Sequence, residues 1–313
     1  MIFFKALILA IVTALQFAQA ADTEIKLALN WKPEAEFGGI YQAEVGGIFK
    51  KHGLKVEILP GGAGTPSVQI IAGAKIDFGI ASADEIVIAQ SRGAKVVALF
   101  ATYQTNAQGI MTHEELGYKS FADVFASKNK LALQKGLPYA MFLMQKYKDA
   151  KAQIVPYLGG ISHFLVDKTY SQQCFITSEP LSAESKNQKV KTFLVSEAGF
   201  NPYTTVLITR EDVIKAQPEV VKQLVAAMRE GLSEYQKNPD QANVLMNKLN
   251  PSMDLETLKK SAFIQKALIE NADTEKFGIG SMSQARWLEL VDQLYSLKLI
   301  KKKVPADQLF RNM

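Results

Sequence analysis

Asn30 and Trp31 stand side by side in the short loop Asn30-Trp31-Lys32-Pro33, directly after the apolar run Ile25–Leu29. An amide side chain offers both a donor and an acceptor, and a flat indole face favours aromatic partners. Together they suit capture of a small planar molecule with a polar edge; packing of Trp31 into the core is the competing account. The segment Leu59-Pro60-Gly61-Gly62-Ala63-Gly64-Thr65-Pro66 lets the backbone approach a ligand closely at Gly61 and Gly62, and a tight turn without any ligand explains it equally well. It lacks the Gly-Lys-Ser/Thr of a phosphate loop and the spacing of a dinucleotide fingerprint. In Ala81-Ser82-Ala83-Asp84-Glu85, Ser82 and Asp84 either cap a helix or face the same ligand, and Gln104, at the crossing, is a further candidate for facing it. Further on, Glu179-Pro180 puts a proline at a helix start and a carboxylate where it can accept hydrogen bonds from an amine or an aminopyrimidine. Tyr203 is placed to close over that ligand.

These residues need a frame that brings loops together. From Ile25 onward short apolar runs alternate with helical patterns: Ile25–Leu29 with 38–51, Lys55–Leu59 with 66–74, Ile76–Ile80 with 84–92, then Lys95–Ala101. Such alternation predicts βαβ units in a mostly parallel sheet, an α/β fold. In open sheets of this kind the loops at the carboxyl ends of the strands line the ligand crevice. The grammar restarts after Gln104, with strands at Gly109–Thr112, Lys130–Gln134, Gln153–Tyr157, Gln173–Thr177 and Val190–Val195, and helices at 138–147 and 160–167. Tyr203–Thr209 then resumes a strand, and the chain from Glu211 is mainly helical. One lobe interrupted by another is expected, divided as 21–105, 106–201 and 202–313, with two hinge crossings. Clefts at such boundaries are preferred ligand sites, and hinge closure is the expected motion.

Residues 1–20 carry one lysine, an apolar run and Ala18-Gln19-Ala20, the pattern of a secretory signal cleaved after Ala20. The formal charge is +5, of which residues 1–20 contribute Lys5 alone, so +4 remains. That mild charge gives no reason to invoke nucleic acid. The single cysteine, Cys174, excludes an intramolecular disulfide and reads as a buried apolar residue. His52, His113 and His163 lack metal-ligand spacing, and no nucleophile-elbow or paired-carboxylate signature appears. The expectation is a binding protein with no catalytic residues, metal or cofactor, a monomer whose only small-molecule partner is its solute.

The run Leu29-Asn30-Trp31 with Pro33, then Gly39, Tyr41, Ala43, Gly47, Phe49 and His52-Gly53-Leu54, resembles the opening of periplasmic solute-binding proteins for thiamine-pyrimidine precursors. Pro60-Gly61-Gly62, Gly73, Asp77-Phe78-Gly79-Ile80, Gly93 and Thr177–Pro180 are similar in order and spacing. The same broad group includes binders of sulfonates, nitrate, taurine and riboflavin, and the fungal thiamine-pyrimidine synthase. The resemblance implies a two-lobed type II periplasmic binding protein fold with a helical C-terminal region, location in the periplasm, and delivery of solute to an inner-membrane ABC permease with its ATPase. It also implies that Trp31 and Tyr41 flank a pyrimidine ring whose polar edge is read by Glu179 and by Ser82 or Asp84. Three features depart from the group. The cysteine-rich run of the synthase is absent, no proline follows Gln104-Thr105-Asn106-Ala107, and 210–313 matches only loosely.

A periplasmic binder of a thiamine-related pyrimidine is the leading expectation. A binder of another solute, riboflavin or a sulfonate among them, is the alternative within the fold; the sulfonate form requires free backbone amides at 61–65 and 82–84. A pyrimidine-making enzyme requires a reactive His, Lys or Cys set in the cleft, and a ligand-sensing module requires a signalling domain.

Overall fold

The computed structural model describes residues 22–62 and 64–313; the expected signal segment, 1–20, lies outside the described residues. Ten strands form two five-stranded sheets. The first contains β1 (Thr23–Ala28), β2 (Leu54–Leu59), β3 (Phe78–Ala81) and β4 (Val96–Tyr103), joined by β10 (Thr204–Arg210). The second contains β5 (Gln108–His113), β6 (Lys130–Leu133), β7 (Gln153–Pro156), β8 (Ser171–Phe175) and β9 (Val190–Leu194). Their orders are β2-β1-β3-β10-β4 and β7-β6-β8-β5-β9. The chain crosses from one sheet to the other between β4 and β5 and returns between β9 and β10.

The expectation of mostly parallel sheets needs correction. β1 is parallel to β2 and β3, and β6 to β7 and β8, but β10 runs antiparallel to β3 and β4, and β5 antiparallel to β8 and β9. The reason lies in the crossings. Each of these two strands is the first after the chain enters a sheet from the other lobe, so it arrives from the edge facing that lobe and runs away from it. An apolar run does not encode that direction.

Helices cover the sheets. Gly38–Val45 packs across Pro218–Lys237, and glycines permit the close crossing: a Cβ on Gly231 would lie 2.3 Å from the carbonyl oxygen of Gly39. The expected single helix over 38–51 is two, Gly38–Val45 and Ile48–Lys51, because Gly47 turns the chain with φ of 65°. On the opposite face Trp287, from helix Gln284–Ser296, is fully buried among residues of the first sheet. Among the described residues no helix is long and apolar enough to cross a membrane.

The crossings are tied to each other and to the C-terminal helices. The Asn106 amide donates to Asn201 Oδ1 at 2.8 Å. Arg286 lies over the Tyr203 ring, 3.8 Å from its centroid, and donates to the Asn201 carbonyl at 2.8 Å. The C-terminal residues reach back to β4, where Ala98 N donates to Leu309 O and Arg311 N donates to Ala98 O.

Candidate ligand-binding site

Three parallel strands from each sheet aim their carboxyl ends at one cavity of about 320 Å³. β1 delivers Asn30 and Trp31, β2 delivers Gly62 and Thr65, and β3 delivers Ser82 and Asp84. From the other side β6 delivers Gln134, β7 delivers Tyr157, and β8 delivers Glu179 from the start of the following helix. This is the crevice that open parallel sheets form at their carboxyl edges, here doubled face to face. Its size falls in the range of sites that enclose a small organic molecule.

Trp31 is half-buried, and its indole Nε1 donates to Glu34 Oε1 at 3.2 Å. Facing it across the cavity, Tyr139, Tyr157 and Phe175 supply further aromatic surface. The polar groups of the second wall are already ordered. The Tyr157 hydroxyl donates to Glu179 Oε1 at 2.7 Å, and the Phe175 amide donates to Glu179 Oε2 at 2.8 Å. Gln173 Oε1 accepts from the Gln134 amide and from the Tyr139 hydroxyl, both at 2.7 Å. Such a network fixes side chains before a ligand arrives.

The first wall is acidic. Glu34 and Glu36, on the short helical turn Ala35–Phe37 and the residue before it, are 8% exposed, and Asp84 is 4% exposed. Burial, reinforced by the Glu179 charge across the cleft, pushes the Glu34 carboxyl up to about 7. Burial with the neighbouring Glu85 charge does the same to Asp84, also to about 7. Glu36 is pushed well above the ordinary range by burial and by Glu34. Glu179 is raised as well, chiefly by burial. Among the described residues no lysine or arginine lines the cavity.

A model of the family described as NMT1/THI5 like matches residues 34–242. The chain belongs to the NMT1/THI5-like family. It is 21% identical over 311 residues to a riboflavin-binding protein, RibY, of Chloroflexus aurantiacus, covering 94% of this chain and 87% of that one. It is 22% identical to a formylaminopyrimidine-binding protein of Halalkalibacterium halodurans, covering 98% and 97%. Among solved structures, the periplasmic aliphatic sulphonate binding protein SsuA of Escherichia coli superposes with a TM-score of 0.68 at 15% identity, covering 93% of this chain and 92% of that one. The alkanesulfonate-binding SsuA of Xanthomonas axonopodis pv. citri, bound to MOPS, gives 0.68 at 14%, covering 94% and 100%. The fold is that of the periplasmic binding proteins, two α/β lobes with a helical C-terminal region.

In this NMT1/THI5-like chain the cavity gathers six of the ten residues expected from sequence: Asn30, Trp31, Gly62, Ser82, Asp84 and Glu179. Four are elsewhere. Gly61 faces the first loop: its amide donates to Trp31 O at 2.9 Å, and a Cβ there would lie 2.4 Å from Leu29 O. Tyr41 is buried and lines a separate pocket beside β1 and β2, with Ile25, Val56 and Leu245, rather than standing opposite Trp31, because Gly39 and Ala43 hold the face of helix Gly38–Val45 that packs on Pro218–Lys237. Gln104 is buried with its amide donating to Ser281 O at 3.0 Å. Tyr203 lies under Arg286, and its hydroxyl accepts from the Ser283 amide at 2.9 Å. The last two brace the hinge.

Sequence reasoning missed Glu34, Glu36, Gln108, Tyr139, Tyr157, Gln173, Phe175 and Thr205, all of which line the cavity. Glu34-Ala35-Glu36-Phe37 carried a readable signal, since two acids interleaved with apolar residues are unusual on a solvated turn. Thr205 carries another kind of signal, visible only in the structure: its φ is 55°, a left-handed conformation that β-branched residues rarely adopt. Cys174 is buried in the second wall, its thiol pushed well up by burial, which keeps it protonated. Among the described residues there is no cluster of His, Cys, Asp and Glu able to hold a metal ion.

Proposed function

We propose that this chain is the solute-capturing component of an ATP-driven importer, acting in the periplasm after loss of residues 1–20 and closing its lobes over a small planar heteroaromatic. Within that class the reading favoured is an aminopyrimidine related to thiamine, carried in the crevice between Trp31 and the tyrosines of the second wall. The lobes are assigned as 21–105 with 202–313, and 106–201. Delivery to a membrane permease and its ATPase is part of the same proposal, supported by the family and the fold.

The observation that carries the reading is the cavity's chemistry: an indole, a wall of carboxyls, and neither lysine nor arginine lining it. Carboxyls accept hydrogen bonds from the exocyclic amine of an aminopyrimidine, and a protonated carboxyl donates to its ring nitrogens. They repel an anion. A sulfonate or nitrate would need free backbone amides, and five of those at the candidate loops are engaged within the protein: Gly61 N donates to Trp31 O, Gly62 N to Thr65 Oγ1, Thr65 N to Gly62 O, Ser82 N to Glu85 Oε2 and Ala83 N to Tyr203 O. A flavin is the second reading, favoured by a cavity of about 320 Å³, which exceeds what a single pyrimidine ring fills. For either ligand this reading assigns binding and no chemical step.

The test is a thermal-shift screen of the purified chain against aminopyrimidines, thiamine, riboflavin and alkanesulfonates. A ligand at a thousandfold excess over its dissociation constant stabilises by about 4 kcal/mol. Stabilisation by an aminopyrimidine supports the reading; stabilisation by riboflavin alone replaces it with the second; stabilisation by sulfonates alone overturns both.

A further inference from the structure

We propose that the cavity selects its solute for positive charge, seating a cationic group against the first-lobe wall of Glu34, Glu36 and Asp84. The inference rests on the assignment of this cavity as the solute site and deepens it, because an aminopyrimidine need not carry a charge.

Three observations converge on it. The three carboxyls are each more than nine-tenths buried, and all line the cavity. Glu36 Oε2 is buried without any hydrogen-bond partner, an arrangement that costs free energy unless a donor or a counter-charge arrives. In contrast, the acid of the opposite wall is already engaged, Glu179 accepting from Tyr157 and Phe175. The unmet demand for positive charge therefore lies on one side only.

The groups around this wall do not meet the demand. Lys32 acts weakly on Glu34 from an exposed position. Behind Glu36 stand the hydroxyls of Tyr41, Tyr103 and Tyr235, and beside Asp84 stands Glu85. Across the cleft are Glu179, Ser178, Tyr139, Tyr157 and Cys174. With no cation on either wall, burial holds Glu36 protonated and leaves Glu34 and Asp84, at about 7, sharing protons near neutral pH; a bound cation favours the ionised forms, and protons leave to solvent as it binds.

A matched pair of ligands tests this on the intact chain. The probes are 4-amino-2-methylpyrimidine bearing a 5-aminomethyl group, a cation, and its neutral 5-hydroxymethyl counterpart, with benzamidinium as a cation lacking the pyrimidine and MOPS as an anion. At pH ~7.5 the aminomethyl compound should bind at least about tenfold more tightly than the hydroxymethyl one. Calorimetry in two buffers of different ionisation enthalpy should report proton release with the cation and not with the neutral compound. Glu34→Gln and Asp84→Asn should each shrink the ratio between the two; the wild-type comparison stands without them. Equal affinity for the pair, or binding of MOPS, overturns charge selection while leaving any pyrimidine binding intact. Benzamidinium binding with neither pyrimidine keeps charge selection and overturns the pyrimidine. Binding of none of the cations overturns charge selection.

Discussion

The indole Nε1 of Trp31 lies 3.2 Å from Oε1 of Glu34 and donates to it, so the aromatic face of the cavity is held in place by an acid whose own ionisation is suppressed by burial. Stacking surface and acidity are thereby one unit. Trp31→Ala should abolish ligand binding or weaken it by about 1–3 kcal/mol, whereas Trp31→Phe, which keeps an aromatic face and loses the N–H, should lie between. Calorimetry measures it. Since Trp31 and Trp287 are the only tryptophans and Trp287 is fully buried, ligand-induced fluorescence change should vanish in Trp31→Phe. A change that persists would remove Trp31 from the site.

Asp84 predicts a stability that depends on pH with a definite sign. Its carboxyl sits at about 7 in the fold against an ordinary 3.8, so the folded state binds the proton more tightly and stability is lost as pH rises from about 4 to about 7. Asp84→Asn should therefore be more stable than the parent above pH 7, by on the order of 2–4 kcal/mol, with the gap closing toward pH ~4. Thermal midpoints of the ligand-free proteins at the two ends of that range decide it; a gap independent of pH refutes the assignment.

The brace at the hinge predicts a loss without contact to ligand. Arg286 covers Tyr203, donates to Asn201 O and approaches Gln104 Oε1 at 3.5 Å, so it touches both crossings. Arg286→Ala should cost about 1–3 kcal/mol of stability, and hydrogen exchange at 199–204 should quicken. Arg286→Lys should rescue little, since an ammonium lacks the planar fork that stacks and donates together. Unchanged exchange in the alanine variant would show that the hinge is held elsewhere.

Thr205 predicts opposite effects on stability and on affinity. Its left-handed conformation stores strain on the order of 1 kcal/mol, while its side chain lines the cavity. Thr205→Gly should leave the thermal midpoint unchanged or raised and should weaken ligand binding. A lowered midpoint with unchanged affinity would mean that the conformation is there for packing alone.

Much of this architecture was legible before the structure. Ten apolar runs became ten strands; β3 and β4, buried along their whole length, were the plainest, because a strand buried on both faces must be apolar throughout, and the loops after β1, β2 and β3 met at one cavity, as carboxyl ends of parallel strands do. What was hidden depends on contacts between distant residues. Tyr157 and Gln173 read as strand ends, and nothing local tells that one donates to Glu179 while the other accepts from Gln134. Gly61 and Gly62 are neighbours with different duties, one admitting a loop backbone and one lining the cavity. Tyr203 and Gln104 were placed at the crossings correctly, but only the C-terminal helix that packs on them shows that they face inward.

The position of β10 carries a consequence for how the chain assembles. It lies between β3 and β4 in the first sheet, which are therefore not hydrogen-bonded to each other, although more than ninety residues separate it from either. The second sheet, by contrast, is drawn from one uninterrupted segment, β5 to β9. As the chain is synthesised, the second lobe is complete in sequence while the first still lacks the strand that joins β3 to β4. Closure of loops of that length is slow, so the lobe begun first should be the lobe finished last.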